Sequence, residues 1–135
     1  MDLVKQALKR WRVSDNELIK QHILPIENPR ERLLAWFKFS AEPIQSHLIY
    51  STLLADRSHA IISKTLKEVT LERLAHLQIS YLEMGYDNAS AKSQSLLAYS
   101  VYVGFLHMSK TLYGSLPDSK DAEDYAQFVA TQLIP

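Results

Sequence analysis

Residues 95–108, with the sequence SLLAYSVYVGFLHM, contain no charged side chain and no proline. As a helix, this segment is apolar on almost every side, and an exposed half would leave a large apolar patch in water. It is too short to cross a bilayer, which takes about 20 apolar residues. The rest of the chain can cover one face of the helix. We therefore expect the other face to pack against a second copy of the protein.

The composition favours one all-α domain. The chain has 135 residues, of which 47% are hydrophobic, and only 3 glycines and 5 prolines. Few chain breakers favour long helices over many short strands. We expect a single domain over residues 1–135, a bundle of about six to seven helices, with linker-type helices in 1–24 and the helical core in 28–135.

The charges balance, with 15 basic and 15 acidic residues. This balance argues against a dedicated nucleic-acid binder, which usually carries a basic excess. Four basic residues lie near the N-terminus, Lys5, Lys9, Arg10 and Arg12, and we interpret them as a solvated helix face. The chain has no cysteine, which excludes disulfides and thiolate metal sites and suits a reducing cytoplasm. The charged N-terminus is unlike a signal peptide, and we expect no membrane association.

Apolar periodicity and capping residues predict the helix boundaries. The predicted helices cover 2–12 and 17–24 (two helices, or one that is kinked), about 29–42, 45–56, 59–84, 88–113 and 119–133. Their predicted start and stop signals are Ser14-Asp15, Asn28 with Pro29, Pro43, Ser58, Gly85, Asp87 or Asn88, Gly114 and the turn Leu116-Pro117-Asp118. The last helix is expected to bury Ala122, Tyr125, Phe128, Val129 and Leu133.

No catalytic or metal-binding constellation emerges from the residue spacings. None of the five histidines falls into a zinc or haem spacing. Glu72 and His76 lie one helical turn apart, but a di-iron bundle needs two Glu-x-x-His motifs, and this chain has none. There is no phosphate-binding glycine loop and no nucleophile elbow. We therefore predict no enzymatic activity, no metal site and no cofactor.

A stripe of mostly small residues runs along the central helix at helical spacing. Its members are Ser93, Leu97, Ser100, Gly104, His107 and Thr111. Small side chains let two helix backbones approach closely, so we interpret the stripe as a dimer interface; a close crossing inside one subunit is the alternative. The opposite stripe, Leu96, Tyr99, Val103 and Leu106, would then face the subunit core.

Aromatic and polar residues are concentrated on several of the predicted helices. Aromatic walls with a few polar tips are typical of a small-molecule pocket between helices, and also of an ordinary core. As a group they form the pocket hypothesis: Trp36, Phe37, His47, Tyr50, Tyr81, Tyr99, Tyr102 and Phe105.

The order of these elements resembles the C-terminal, ligand-sensing and dimerising domain of TetR-family transcriptional repressors. The segments that carry the resemblance are 7–11 (ALKRW), 28–33 (NPRERL), 49–56 (IYSTLLAD), 69–74 (VTLERL), 81–86 (YLEMGY) and 98–106 (AYSVYVGFL). The last resembles the family's long late helix, where a Tyr-x-x-x-x-Gly-like pattern is common. The similarity extends over nearly the whole chain and depends on the order of individually weak motifs.

The resemblance implies a sensor. A small apolar or amphipathic effector would enter a cavity between helices and move the linking helix, and helix 88–113 with a neighbouring helix would form a four-helix dimer interface. The helix-turn-helix region of the family has no counterpart in these residues, so this chain alone is expected not to bind DNA. The alternative is a stand-alone all-α interaction module that forms mixed dimers with an intact regulator.

Overall fold

The fold is an all-α bundle. The computed structural model describes residues 3–42, 44–56, 59–115 and 118–135, and within these ranges it contains six helices and no strand. The helices are α1 (Leu3–His22), α2 (Pro29–Ala41), α3 (Gln45–Ala55), α4 (Ala60–Glu83), α5 (Asn88–Tyr113) and α6 (Ser119–Leu133). The predicted fold class is confirmed. The signals predicted at Pro43, Ser58 and Leu116-Pro117 lie outside the described residues.

Local capping chemistry explains why several helix boundaries agree with the prediction. The Asn28 side chain accepts hydrogen bonds from the backbone N–H groups of Arg30 (3.0 Å) and Glu31 (3.1 Å). Asp87 caps α5 in the same way, accepting from the Ser90 N–H at 2.7 Å. Gly114 ends α5 in the left-handed region, with φ 71°, where side chains with a Cβ are strained.

Of the two alternatives for residues 2–24, two helices or one, the structure shows one, because α1 continues through Ser14-Asp15. Asp15 does not cap a helix. Its carboxylate is buried and accepts hydrogen bonds from Arg73 of α4 and Ser46 of α3. An N-cap side chain accepts hydrogen bonds from backbone N–H groups of its own helix. Asp15 instead accepts them from side chains of two other helices.

The long helices α4 and α5 pack against each other, and the other helices cover them. Helix α2 contacts both α4 and α6, while α1 lies on α3 and α4. A buried arginine joins α2 to the end of α4, since Arg32 donates to the Ser80 hydroxyl (2.9 Å) and to the Glu83 carboxylate (2.8 Å). This packing covers only one side of α5.

Two expectations about buried faces are wrong in part. Leu96 of α5 is 57% exposed, whereas Tyr99 and Leu106 of the same predicted stripe are buried. In α6, Phe128 is 59% exposed and Tyr125 also reaches solvent. The buried residues of α6 are Ala122, Ala126, Val129 and Ala130, so the predicted burial is confirmed for Ala122 and Val129.

Candidate ligand cavity and dimer face

Five helices, α2 to α6, surround a cavity of about 60 Å³. Aromatic and aliphatic side chains form most of its wall, and the described lining residues include one charged side chain. The lining residues are Trp36, Phe37, Phe39, Ser40, Ala41, His47, Arg73, Leu77, Ala98, Tyr99, Val101, Tyr102, Phe105, Tyr125, Ala126 and Val129. An apolar lining with few polar groups is typical of small-molecule sites, although this cavity is smaller than the roughly 300 to 1,000 Å³ of such sites.

The structure brings six residues of the pocket hypothesis into this one wall. They are Trp36, Phe37, His47, Tyr99, Tyr102 and Phe105. Tyr50 lies directly behind the wall, where its hydroxyl is hydrogen-bonded to that of Tyr99. Tyr81 is not brought to the cavity, because its hydroxyl points toward α6 and donates to the Leu133 carbonyl at 3.0 Å. Burial raises the pKa of the Tyr81 phenol to about 12.

The charged residue of the wall is Arg73, which forms a buried ion pair with Asp15. Burial acts to lower the pKa of the guanidinium, but the facing Tyr102 and Asp15 raise it overall, so the side chain stays protonated. The guanidinium carbon also lies 4.8 Å from the centroid of the Tyr50 ring, a cation–π distance. The positive charge of Arg73 is therefore balanced by Asp15, which lies outside the cavity wall.

His47 links α3 to both α2 and α5. Its Nε2 lies 2.6 Å from the Phe39 carbonyl oxygen, which can only accept, so Nε2 carries the proton and Nδ1 accepts from the Tyr102 hydroxyl at 2.8 Å. Burial, the largest effect, and the nearby Arg73 lower the pKa of His47 to about 4. The imidazole is therefore neutral at pH 7. Burial likewise raises the pKa of the Tyr102 phenol, so this hydroxyl keeps its proton.

One buried polar atom of the wall has no hydrogen-bond partner among the described residues. The indole nitrogen Nε1 of Trp36 is buried and makes no hydrogen bond with the described part of the chain. The face of the Trp36 ring lies against His76, with 6.0 Å between the ring centroids and an angle of 29°. By contrast, the indole of Trp11 donates to the Ser46 carbonyl oxygen at 3.2 Å.

Sequence reasoning missed the two charged residues of this centre, although a signal was present. Asp15 lies four residues after Trp11 and four before Ile19, so it interrupts an apolar helix face. Arg73 interrupts the face formed by Val69 and Leu77 in the same way. Two opposite charges, each on a buried stripe, are the pattern expected of a buried ion pair.

The small-residue stripe of α5 lies on the outer side of the helix. Ser93, Leu97, Ser100, His107 and Thr111 are all exposed, and Gly104 is partly buried. Leu96 and Met108 flank the stripe and are also exposed. A Cβ atom added at Gly104 would meet no atom within 4 Å. No described helix of the same subunit therefore crosses α5 closely at Gly104, as the alternative interpretation of the stripe would require.

Gly104 opens onto a groove of about 630 Å³ between α3, α4 and α5. The groove is lined by Tyr50, Ser51, Leu54, Ala55, Thr70, Tyr99, Ser100, Val103, Gly104, His107 and Lys110. Tyr99 lines both this groove and the cavity. The two sites therefore lie on opposite sides of one helix and share a side chain.

The described residues form neither a metal-ligating group nor a membrane-spanning helix. They include no group of three or more His, Asp or Glu side chains placed to hold a metal ion. None of the helices in the described ranges is long and apolar enough to span a membrane. Comparison of the chain with protein-family models, with curated proteins and with solved structures finds no match in any of the three.

Proposed function

We propose that this chain is a regulatory domain that binds a small apolar or amphipathic effector and forms a homodimer, as in TetR-type transcriptional repressors. The observation that carries the proposal is the aromatic cavity, whose charged wall residue, Arg73, is paired with Asp15 of α1. The proposal includes a cytoplasmic location, which the absence of cysteine favours. It assigns no DNA contact and no catalysis to these residues.

The Asp15–Arg73 pair supplies a physical route from the cavity to α1. An effector acts only if it binds one arrangement of the helices better than another. A molecule against the cavity side of Arg73 would change the environment of its guanidinium, and Asp15 is bonded to that group and to Ser46. Because Asp15 lies in the middle of α1, a shift of the ion pair would displace this helix relative to α3 and α4.

The outer face of α5 supports a second copy of the chain as the partner. Between Lys92 and Lys110 the helix has no acidic or basic residue apart from His107. In a two-fold interface each residue near the axis meets its own copy, so a neutral face avoids repulsion between like charges. The stripe from Ser93 to Thr111 extends over about 27 Å of helix at about 1.5 Å per residue. The same face could form mixed dimers with an intact regulator, which is the alternative function.

Native mass spectrometry tests the homodimer. We expect a mass of twice 15.5 kDa for the wild-type chain, and a monomer or aggregate for Gly104→Leu, because the larger side chain would separate the crossing helices. Circular dichroism should show that this variant stays helical, since the position has open space within one chain. Lys92→Leu, which adds a leucine to α5 outside the stripe, is the matched control and should remain dimeric. A dimeric Gly104→Leu protein would contradict the interface.

Electrophoretic mobility shift with labelled duplex DNA tests the regulatory assignment. We expect no specific, salt-sensitive binding by these residues, because the chain has no basic excess. Tight binding to a defined duplex would overturn the assignment of this chain as a sensing domain without DNA-reading function.

A further inference from the structure

The groove beside Gly104 is large enough for a whole small molecule. Its volume of about 630 Å³ lies within the roughly 300 to 1,000 Å³ of small-molecule sites. A second depression of about 280 Å³ borders it, because Leu54 and Thr70 line both. The groove can therefore take a ligand that the cavity of about 60 Å³ cannot hold.

Gly104 leaves the backbone of α5 open toward the groove. Glycine inside a helix is less favourable than alanine, and a Cβ atom at this position would meet no atom within 4 Å. Contacts within one chain therefore do not require the glycine. Ser100, Gly104 and His107 belong both to the groove and to the outer stripe of α5, so a second copy on the stripe would cover one side of a bound ligand.

The charges along the groove favour an anionic ligand. Lys110 is the charged residue among the described lining residues, apart from His107, and Lys67 is the charged residue that lines the bordering depression. None of these described lining residues is acidic. Neither lysine forms an ion pair within the described part of the chain. A recess lined by charge of one sign attracts ligands of the opposite sign, although the chain as a whole is neutral.

The groove also offers apolar contacts, so an inorganic anion would use only part of it. Leu54 of α3 and Val103 of α5 line it and are half-buried. An alkyl chain against these side chains would remove apolar surface from water. The flexible stem of Lys110 lets its ammonium group reach a negatively charged head group at the same time. A ligand with one anionic end and one apolar end uses both features.

Tyr50 connects the groove to α1. Its side chain lines the groove and is only 1% exposed. The centroid of its ring lies 5.8 Å from that of Trp11 in α1, and 4.8 Å from the guanidinium carbon of Arg73. The Tyr50 hydroxyl is hydrogen-bonded to that of Tyr99, which lines the groove from α5. A ligand that displaces Tyr50 would therefore change the surroundings of Trp11.

We propose that the groove binds an amphipathic carboxylate, with its carboxylate at Lys110 and its alkyl chain between Leu54 and Val103. The inference rests on the proposed function for the role of this ligand as an effector. It deepens that function, because it places the effector in the groove instead of the cavity and names its chemical class.

Three probes that share one alkyl chain separate the contribution of charge. Octanoate, 1-octanol and octylammonium are titrated into the wild-type chain by isothermal titration calorimetry. We expect octanoate to bind about fivefold more tightly than 1-octanol, the upper ratio for a partly exposed ion pair, and octylammonium to bind most weakly. Lys110→Gln should lower the affinity for octanoate to that for 1-octanol. Lys92→Gln, at an exposed position of α5 outside the groove, is the matched control and should keep the preference.

Proton–nitrogen correlation spectra locate the bound probe. The chain has three glycines and two tryptophans, so ¹⁵N labelling of these residue types gives three glycine backbone signals and two indole signals. Gly104→Ala and Trp11→Phe each remove one signal and assign it, and Gly85→Asn assigns a third. Octanoate should shift the Gly104 and Trp11 signals and leave that of Gly85, which does not line the groove, unchanged.

The outcomes for charge and position test the inference directly. Equal affinities for octanoate and 1-octanol, or an unchanged octanoate affinity in Lys110→Gln, would overturn the anionic ligand. Binding that leaves the Gly104 signal unchanged would overturn the groove as its site. Should Lys110→Gln not fold, the order of the three probes on the wild-type chain decides.

Two further outcomes separate this inference from the proposed function. If octanoate shifts Gly104 but not Trp11, the groove is a binding site and the sensing route to α1 is contradicted. If native mass spectrometry shows a dimer that binds none of the probes, the inference fails and the homodimer stands. A monomer that binds octanoate at Gly104 supports the site and contradicts the homodimer.

Discussion

Two ion pairs attach α1 to α4, and their surroundings are opposite. Arg12 lies at the surface and contacts the carboxylates of Glu68, at 2.6 Å, and Glu72. One turn further along α1, Asp15 pairs with Arg73, and these side chains are only 3% and 8% exposed. Both join an arginine to carboxylate groups across the same two helices, with the arginine on α1 in the first pair and on α4 in the second. Their largest difference is burial.

Burial changes what each pair contributes. Exposed pairs add little stability, because water and salt screen the charges. A buried pair is costly to break, because the remaining partner is left as an uncompensated charge away from water. Of these two pairs, only the buried one reaches the cavity. Under the proposed function, a ligand would therefore act on α1 through Arg73 and not through Arg12.

The largest expected effect is the loss of one buried partner. Arg73→Met should lower the free energy of unfolding by about 3 to 5 kcal/mol, because Asp15 then remains buried without its counter-ion. Urea denaturation followed by circular dichroism measures the change.

The double variant Asp15→Leu with Arg73→Met is the control for this prediction. Replacing both charges by apolar groups of similar size is often close to neutral, so the double variant should recover most of the loss. The single variant Asp15→Leu completes the comparison. If the losses of Asp15→Leu and Arg73→Met simply add in the double variant, Asp15 and Arg73 are not coupled and the comparison of the two pairs fails.

The next effect is a pH dependence at His47, whose ring lies beside the buried pair. Its pKa is about 4 in the folded protein, against an ordinary value of 6.5 for histidine. Between these values the unfolded chain binds a proton that the folded protein does not, so stability falls as the pH falls from 6.5 toward 4. The full loss at this residue is about 3 kcal/mol at about 1.4 kcal/mol per pH unit.

Comparison of wild type with His47→Gln isolates this contribution, because the carboxylates and His76 titrate in both proteins. The stability difference between the two proteins should shrink as the pH falls through this window. An unchanged difference between pH 7 and pH 4 would show that His47 is protonated in the folded state or does not differ from its unfolded form.

The helix ends were predictable from sequence because their causes are local. Asn28 is followed directly by the N–H groups that it caps, and Gly114 ends α5 through its own backbone conformation. Six aromatic or histidine residues of the pocket hypothesis, on α2, α3 and α5, also lie around one cavity. Local patterns therefore supplied the fold class and most of the aromatic residues of the pocket hypothesis, but not the whole cavity wall.

The buried polar centre was not predictable in the same way. Asp15 and Arg73 are 58 positions apart in sequence, and nothing local says that these two charges meet. The unpaired Trp36 nitrogen results from the lack of a hydrogen-bond acceptor on every described helix around it. Tyr81 matches the other aromatic residues in type, but the turn of α4 on which it lies points it toward α6.

A smaller effect is expected for the hydrogen bond that supports the cavity beside the ion pair. Tyr99→Phe removes the hydroxyl that pairs with Tyr50 and keeps the ring. We expect a loss of about 1 kcal/mol, the net contribution of a typical hydrogen bond. Urea denaturation measures it, and Tyr113→Phe, at an exposed position of the same helix, should change stability by much less. A neutral Tyr99→Phe would show that Tyr50 finds another partner.

The smallest expected effect is at the surface pair. Arg12→Ala should lower the free energy of unfolding by less than about 1 kcal/mol, although Arg12 contacts two carboxylates at once. The loss should shrink further in about 1 M salt, where the screening length is about 3 Å, whereas the loss in Arg73→Met should not. A cost at Arg12 as large as that at Arg73 would mean that the number of ionic contacts, and not burial, decides how firmly α1 is attached. In that case a ligand acting on the buried pair alone would not release the helix.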